Sequence, residues 1–326
     1  MSHHRRTTLA VTALAASALA LTACTSAADA DTDADTDAGA SESGEMPETL
    51  IVAVIPSEDR TELDPDDSLP LRILERELGI EVEYHLATSY AATIEAQRSG
   101  QAHMAQYGPF SYVLAHDSGV DLALIGFMGD SPEDEGGYHS VASVRADSEI
   151  ESLEDAAGQT VCFVDPASTS GYLFPTEGLI TAGLDPETDI DPLFAGGHDA
   201  SVLALADGQC DLAFSTEGMA TEQLLETGQI TDGEIRQVWQ SELIPSSPLT
   251  VSGSLPEGLT QQIREIYLEQ INVDALRESG ECDESAEGGM CGLGNWGYIG
   301  VEDSLYDGVR QVCEATEAEA CTATEG

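Results

Sequence analysis

Residues 49–55 are almost continuously apolar, as in a strand covered on both faces of a parallel sheet. An acidic loop over 56–70 follows; residues 71–78 then repeat apolar side chains at helical spacing, and 80–84 alternate as a second strand. The pattern continues with helices over 91–98 and 110–115 and strands over 122–127 and 138–144, the last running out of a first lobe. A second unit starts at Leu153 with a helix, a strand over 160–164 and a helix over 172–183. A short strand over 191–194 and a helix over 200–206 come next, and an apolar stretch over 212–214 ends the unit's forward run. Residues 238–244 and 249–251 return the chain to the first lobe, where 259–271 form an amphipathic helix. Alternating strands and helices predict a doubly wound α/β protein of two lobes, the first from 49–142 and 243–326 and the second from 143–242. In such sheets ligands sit beyond the carboxyl ends of strands. The polar loops at Tyr107, Ser168, His198 and Glu217 each follow an apolar strand, which points to one shared cleft.

The stretch with the most chemistry is Asp165-Pro166-Ala167-Ser168-Thr169-Ser170-Gly171, between a strand and a helix. The first turn of a helix has backbone N–H groups without intrahelical partners and carries partial positive charge. Three adjacent hydroxyls add neutral donors there, and a glycine lets the backbone approach a ligand closely. Ordinary N-capping uses one Ser or Thr, so three exceed what a cap needs.

Composition changes the picture at the ends of the chain. Residues 1–23 combine a basic start at His3-His4-Arg5-Arg6 with a short apolar stretch, and Leu21-Thr22-Ala23 precedes Cys24. This reads as a secretory signal of lipoprotein type, with Cys24 the lipidated first residue of the mature chain. Residues 24–48 are small, acidic and polar, and read as a solvated tether. With 11 Arg and no Lys against 61 acidic residues, the formal charge is −50, which disfavours nucleic acid as a partner. It also deprives an anionic ligand of long-range attraction, so an anion site must work through local donors. Beyond Cys24 there are six cysteines, an even number in an exported chain, which predicts disulfides rather than metal ligation. No cofactor and no metal are expected.

The residues resemble the substrate-binding proteins of phosphonate, phosphite and phosphate ABC importers. The resemblance rests on Ser89-Tyr90-Ala91, Tyr107-Gly108, the Asp165–Gly171 stretch, Gly197-His198-Asp199-Ala200 and Leu243-Ile244-Pro245. It implies a two-lobed periplasmic-binding-protein type II clam-shell, each lobe a mostly parallel sheet flanked by helices. It further implies that Ser168, Thr169 and Ser170 hold a phosphorus oxyanion, with Tyr107 donating from lobe one and His198 from lobe two. The resemblance also implies that Tyr90 lines the cleft opposite. Glu217 matches a position that faces the ligand's ammonium group in aminoalkylphosphonate binders. Those binders carry a second carboxylate after Ile-Pro, where this chain has Ser246-Ser247.

The expected function is that of a lipid-anchored, monomeric, extracytoplasmic binding protein delivering a small phosphorus oxyanion to an ABC permease. Two other readings stand beside it: a ligand-sensing ectodomain of the same fold, and a serine hydrolase built on Ser168, His198 and Asp199. The hydrolase reading lacks the first glycine of a Gly-x-Ser-x-Gly elbow. Cys162 and Cys210 fall at strand starts in one lobe and are paired by proximity; Cys282 with Cys291 and Cys313 with Cys321 close short loops in the tail.

Overall fold

The computed structural model of the protein describes residues 46–55, 68–285 and 289–322. The expected signal segment, Cys24, nearly all of the tether and most of the acidic loop lie outside the described residues.

In chain order the strands and helices are β1 (Thr49–Val54), α1 (Leu69–Leu78), β2 (Glu81–Leu86), α2 (Tyr90–Arg98), β3 (Met104–Gln106), α3 (Pro109–Asp117), β4 (Leu122–Gly129) and β5 (Ser140–Arg145). Then follow β6 (Thr160–Phe163), α4 (Phe174–Thr181), β7 (Asp191–Phe194), α5 (His198–Ala206), β8 (Leu212–Thr216), α6 (Leu224–Glu226) and β9 (Ile235–Gln240). The chain closes with β10 (Pro248–Ser252), α7 (Glu257–Glu265), α8 (Val273–Ser279), β11 (Gly297–Ile299), α9 (Asp307–Thr316) and α10 (Glu319–Thr322). The helix expected from Leu153 is a single 3-10 turn, Leu153–Ala156, and the helix expected from Tyr172 starts earlier, with a π-helical turn over Thr169–Leu173.

Two sheets form, ordered β11-β4-β10-β3-β1-β2 and β7-β6-β8-β5-β9. Both are mixed. In the first, β1 runs parallel to β2 and β3, while β10 is antiparallel to β3 and β4, and β11 to β4. In the second, β6 runs parallel to β7 and β8, while β5 is antiparallel to β8 and β9. Most strands of each sheet still point one way, so their carboxyl ends share an edge. Two of the antiparallel strands, β5 and β10, are those by which the chain changes lobe, the first leaving the first sheet and the second returning to it; β11 joins the edge of that sheet antiparallel to β4. The expected boundary after Ala142 falls inside β5, which pairs in the second sheet from Ser140 onward.

The two crossings touch. Tyr138 and Ile244 exchange backbone hydrogen bonds of 2.9 and 2.8 Å, just after Gly136 and Gly137, both in the positive-φ region that favours glycine. Separate apolar clusters fill each lobe, around Leu50, Ile73 and Met104 in the first and around Val161, Leu179 and Phe214 in the second. Another cluster joins Tyr90, Tyr107 and Phe110 of the first lobe to Val164, Leu173 and Phe174 of the second. The lobes are therefore in contact. Disulfides link Cys162–Cys210, Cys282–Cys291 and Cys313–Cys321, the pairing expected from the sequence. Among the described residues no helix is long and apolar enough to cross a membrane.

Candidate functional site

The hydroxyl triplet sits where β6 ends. Asp165 Oδ1 accepts the Ala167 N–H at 2.8 Å and the Asp165 carbonyl accepts the Ser168 N–H at 2.9 Å, so the Asp-Pro turn is closed by its own aspartate. Ser168 is the N-cap of the turn beginning at Thr169, its Oγ accepting the Gly171 N–H at 3.1 Å. Gly171 is needed for a reason other than ligand approach: a Cβ there would lie 2.3 Å from both Cβ and Cγ2 of Val164. The glycine lets the helix start press onto β6, which draws the triplet into the interior. Ser168, Thr169 and Ser170 are all 0 % exposed.

The first lobe closes over them. Tyr90, at the start of α2, donates its hydroxyl to Ser168 Oγ at 3.3 Å, and the Phe110 N–H at the start of α3 donates to Thr169 Oγ1 at 2.8 Å. Phe110 is the second residue of α3, after Pro109, so its N–H has no acceptor within the helix. Tyr107 follows β3 directly, its N–H held by the Pro248 carbonyl at 3.0 Å. Its hydroxyl is buried without a protein partner. Burial pushes its phenol well above the ordinary value, so it remains protonated and able to donate. The Ser170 hydroxyl is likewise buried and unpartnered.

His198 opens α5, capped by Gly197, in the loop after β7; that loop is tied to β6 through Gly196 N–H to the Val164 carbonyl at 2.8 Å. Its Nδ1 accepts the Thr216 N–H at 3.2 Å, which leaves the ring proton on Nε2. His198 is therefore wired as a donor, at 0 % exposure. Glu217 follows Thr216 at the end of β8; it is half-buried, and its own N–H goes to the His139 carbonyl at 3.1 Å. Ser247 lies on the lobe-one side, where its carbonyl accepts from Gln106 Nε2 at 3.1 Å, next to Tyr107.

Tyr90, Ser168, Thr169 and the start of α3 are thus joined directly. Tyr107, His198 and Glu217 are placed by neighbouring strand ends. Sequence reasoning missed the Phe110 N–H and Ser140, whose hydroxyl donates to the Ser170 carbonyl at 2.6 Å and fixes the triplet's backbone. A backbone donor leaves no mark on residue type; a Pro at the first helical position, which exposes the next N–H, is the signal that could have found it. As for metals, ligand atoms of Cys282, Glu284 and Cys291 cluster within 4.8 Å, but the two cysteines are joined to each other and offer no thiolate.

Between the lobes Tyr90 meets Ser168 and the Phe110 N–H meets Thr169, and the buried hydroxyls of Tyr107 and Ser170 lie at a strand end of the first lobe and a helix start of the second. Residues 52–277 match the family described as "ABC transporter, phosphonate, periplasmic substrate-binding protein". The chain belongs to this family. It is an extracytoplasmic binding protein that works with the permease of an ABC importer. It is 37 % identical over 289 residues to the phosphate-import protein PhnD of Mycolicibacterium smegmatis, covering 84 % of this chain and 88 % of that one. It is 29 % identical over 231 residues to the phosphonates-binding periplasmic protein of Escherichia coli, covering 69 % and 67 %. Its fold matches PhnD1 of Prochlorococcus marinus, solved in complex with methylphosphonate, with a TM-score of 0.69 at 20 % identity, over 84 % of this chain and all (100 %) of that one.

Proposed function

We propose that this binding protein captures a small phosphorus oxyanion without a cationic substituent (phosphate, phosphite or methylphosphonate), held by Ser168, Thr169, Ser170, Tyr107 and His198. The observation that carries this reading is the donor wiring. Ser168 Oγ accepts from both the Gly171 N–H and the Tyr90 hydroxyl, so what it has left to offer is its proton. His198 is a donor at Nε2, and the buried Tyr107 and Ser170 hydroxyls are free of protein partners. Donors arranged in a water-excluded site suit an anion, with no charged Lys or Arg in these loops. The phosphate import of the Mycolicibacterium relative and the methylphosphonate bound by the Prochlorococcus protein support the ligand class.

The same wiring argues against catalysis. A hydrolytic Ser168 needs a base able to take its proton, whereas the His198 ring already carries one on Nε2 and spends Nδ1 on Thr216. The protein holds its ligand and releases it unchanged, as a monomer tethered through a lipid on Cys24. Metabolic labelling with a fatty acid, lost on Cys24→Ala, tests the anchor.

Ligand choice rests on Ser247. A ligand ammonium enclosed in a closing cleft needs carboxylate partners, because an unpaired buried charge costs several kcal/mol. Glu217 supplies one and Ser247 none. Calorimetric titration with phosphate, phosphite, methylphosphonate and 2-aminoethylphosphonate tests this. The aminoalkyl ligand is expected to bind at least about tenfold (1.4 kcal/mol) more weakly than the best of the other three. Ser247→Asp narrows the gap by repelling the plain anions and favouring the ammonium. If 2-aminoethylphosphonate is the tightest ligand of the wild type, the reading fails.

A further inference from the structure

The tail of the chain lies against both lobes. Residues 303–321 follow β11, a strand of the first sheet, and so travel with the first lobe. Their anchor there is Arg310 on α9. Its guanidinium donates to both carboxylate oxygens of Asp117 at 3.0 Å, to Asp303 at 2.9 Å and to Asp307 at 3.2 Å, and lies 3.3 Å from His116 Nδ1. Asp303 also accepts the Tyr112 hydroxyl at 2.7 Å. The buried Tyr306 packs its ring 4.8 Å from that of Tyr112 and donates to the Ser246 carbonyl at 3.1 Å, in the crossing segment between the lobes.

The other side of α9 meets the second lobe. It packs on α4 and on the π-helical turn that carries Thr169 and Ser170, as well as on α3. Val309, Cys313 and Ala318 belong to the same buried cluster as Phe110 and Tyr112 of the first lobe and Leu173 and Phe174 of the second. The Cys313–Cys321 disulfide folds α10 back along α9. Ala320 and Cys321 of α10 and Tyr172 of the second lobe pack against this same cluster, which brings α10 to the second lobe as well. Parting of the lobes would separate α3 from the turn over Thr169–Leu173 on which it packs, and an element continuous with the first lobe would not keep both contacts.

We propose that residues 303–321 are a closing strap: held on the first lobe by Arg310, they dock on the helix behind the hydroxyl triplet as the cleft shuts and lengthen the time it stays shut. The strap adds to closure a contact that no ligand makes, so it acts on release of every ligand alike. This inference rests on the two-lobed fold and on no particular oxyanion.

The Phe110 N–H reports closure directly, since its acceptor is Thr169 Oγ1 across the cleft and none exists within α3. Amide hydrogen exchange at Phe110 is followed in the wild type, Ala318→Asp and Arg310→Gln, each with and without inorganic phosphate or methylphosphonate. Ala318→Asp puts a charge into the shared cluster, and Arg310→Gln releases the anchor. The expected result is Phe110 protection about tenfold lower in both variants, with the buried amides of β1 protected as in the wild type. Equal Phe110 protection in wild type and variants overturns the strap. Loss of β1 protection in both variants overturns it too, by making the tail a folding element. If neither anion raises Phe110 protection in the wild type while the variants still differ from it, the ligand reading fails and the strap stands.

Discussion

Thr169→Val isolates one hydrogen bond that joins the lobes at the triplet, that from the Phe110 N–H, and leaves the bond from Tyr90 to Ser168 in place. Valine keeps the branched shape of threonine in a position that is 0 % exposed, and removes the Oγ1 that accepts the Phe110 N–H at 2.8 Å. A buried donor left without an acceptor costs about 1–3 kcal/mol. In an open cleft the Phe110 N–H meets water, so the cost falls on the closed form alone. A bias of about 1–3 kcal/mol is about 5–150-fold in the open–closed equilibrium, and apparent affinity falls with the closed fraction. Titration calorimetry with phosphate should show Kd weakened by a factor in that range, with the lost Thr169 donor adding to it. The melting temperature of the ligand-free protein should hardly move, because the penalty is avoided by opening. Amide exchange completes the assay: Phe110 protection should vanish. Wild-type affinity alongside lost Phe110 protection would refute the link between closure and capture. Retained protection would refute the hydrogen bond itself.

Tyr107→Phe removes a buried hydroxyl with no protein partner, so calorimetry should show phosphate binding weaker by about tenfold (1.4 kcal/mol), while the ligand-free protein melts no lower than the wild type. Gly171→Ala should lower the melting temperature, by a loss of about 1–3 kcal/mol from overpacking against Val164, although glycine-to-alanine exchange in a helix is ordinarily stabilising. Burial opposes ionisation of Asp117 and Asp303, but the bonds from Arg310, with those from His116 and Tyr112, outweigh it and hold both carboxyls below the ordinary value. Their contribution to stability is therefore complete above the unfolded carboxyl value of about 3.9 and is lost as pH falls through the lower folded values. Thermal melts between neutral and strongly acidic pH should show Arg310→Gln flattening that acid limb, and an unchanged limb would contradict the assignment.

Much of this protein was legible in its residues. Strand and helix period, turn residues and helix caps are local, so β1, β2 and α2, with the loops at Tyr107, Ser168 and His198, could be placed from side-chain spacing alone. The disulfide pairs are read from proximity: Cys162 lies in β6 and Cys210 just before β8 of the same unit, and the two tail pairs lie nine and eight positions apart. The Asp-Pro-x-hydroxyl run announced a helix start, although its π-helical first turn moved that start to Thr169, because Gly171 can press onto Val164 where a side chain could not. Other features depended on chain segments far apart in sequence. The mixed sheets follow from β5 and β10 changing lobe and from β11 joining the edge of the first sheet, and nothing in the apolar run of β10 says that it lies antiparallel between β3 and β4. The bond from Phe110 to Thr169 spans 59 positions and uses a backbone N–H that every non-proline residue possesses. The docking of α9 on both lobes depends on an arginine whose acidic partners could not be singled out among 61 acidic residues. Local periodicity fixes which face of an element is apolar, and only packing selects the surface that covers it.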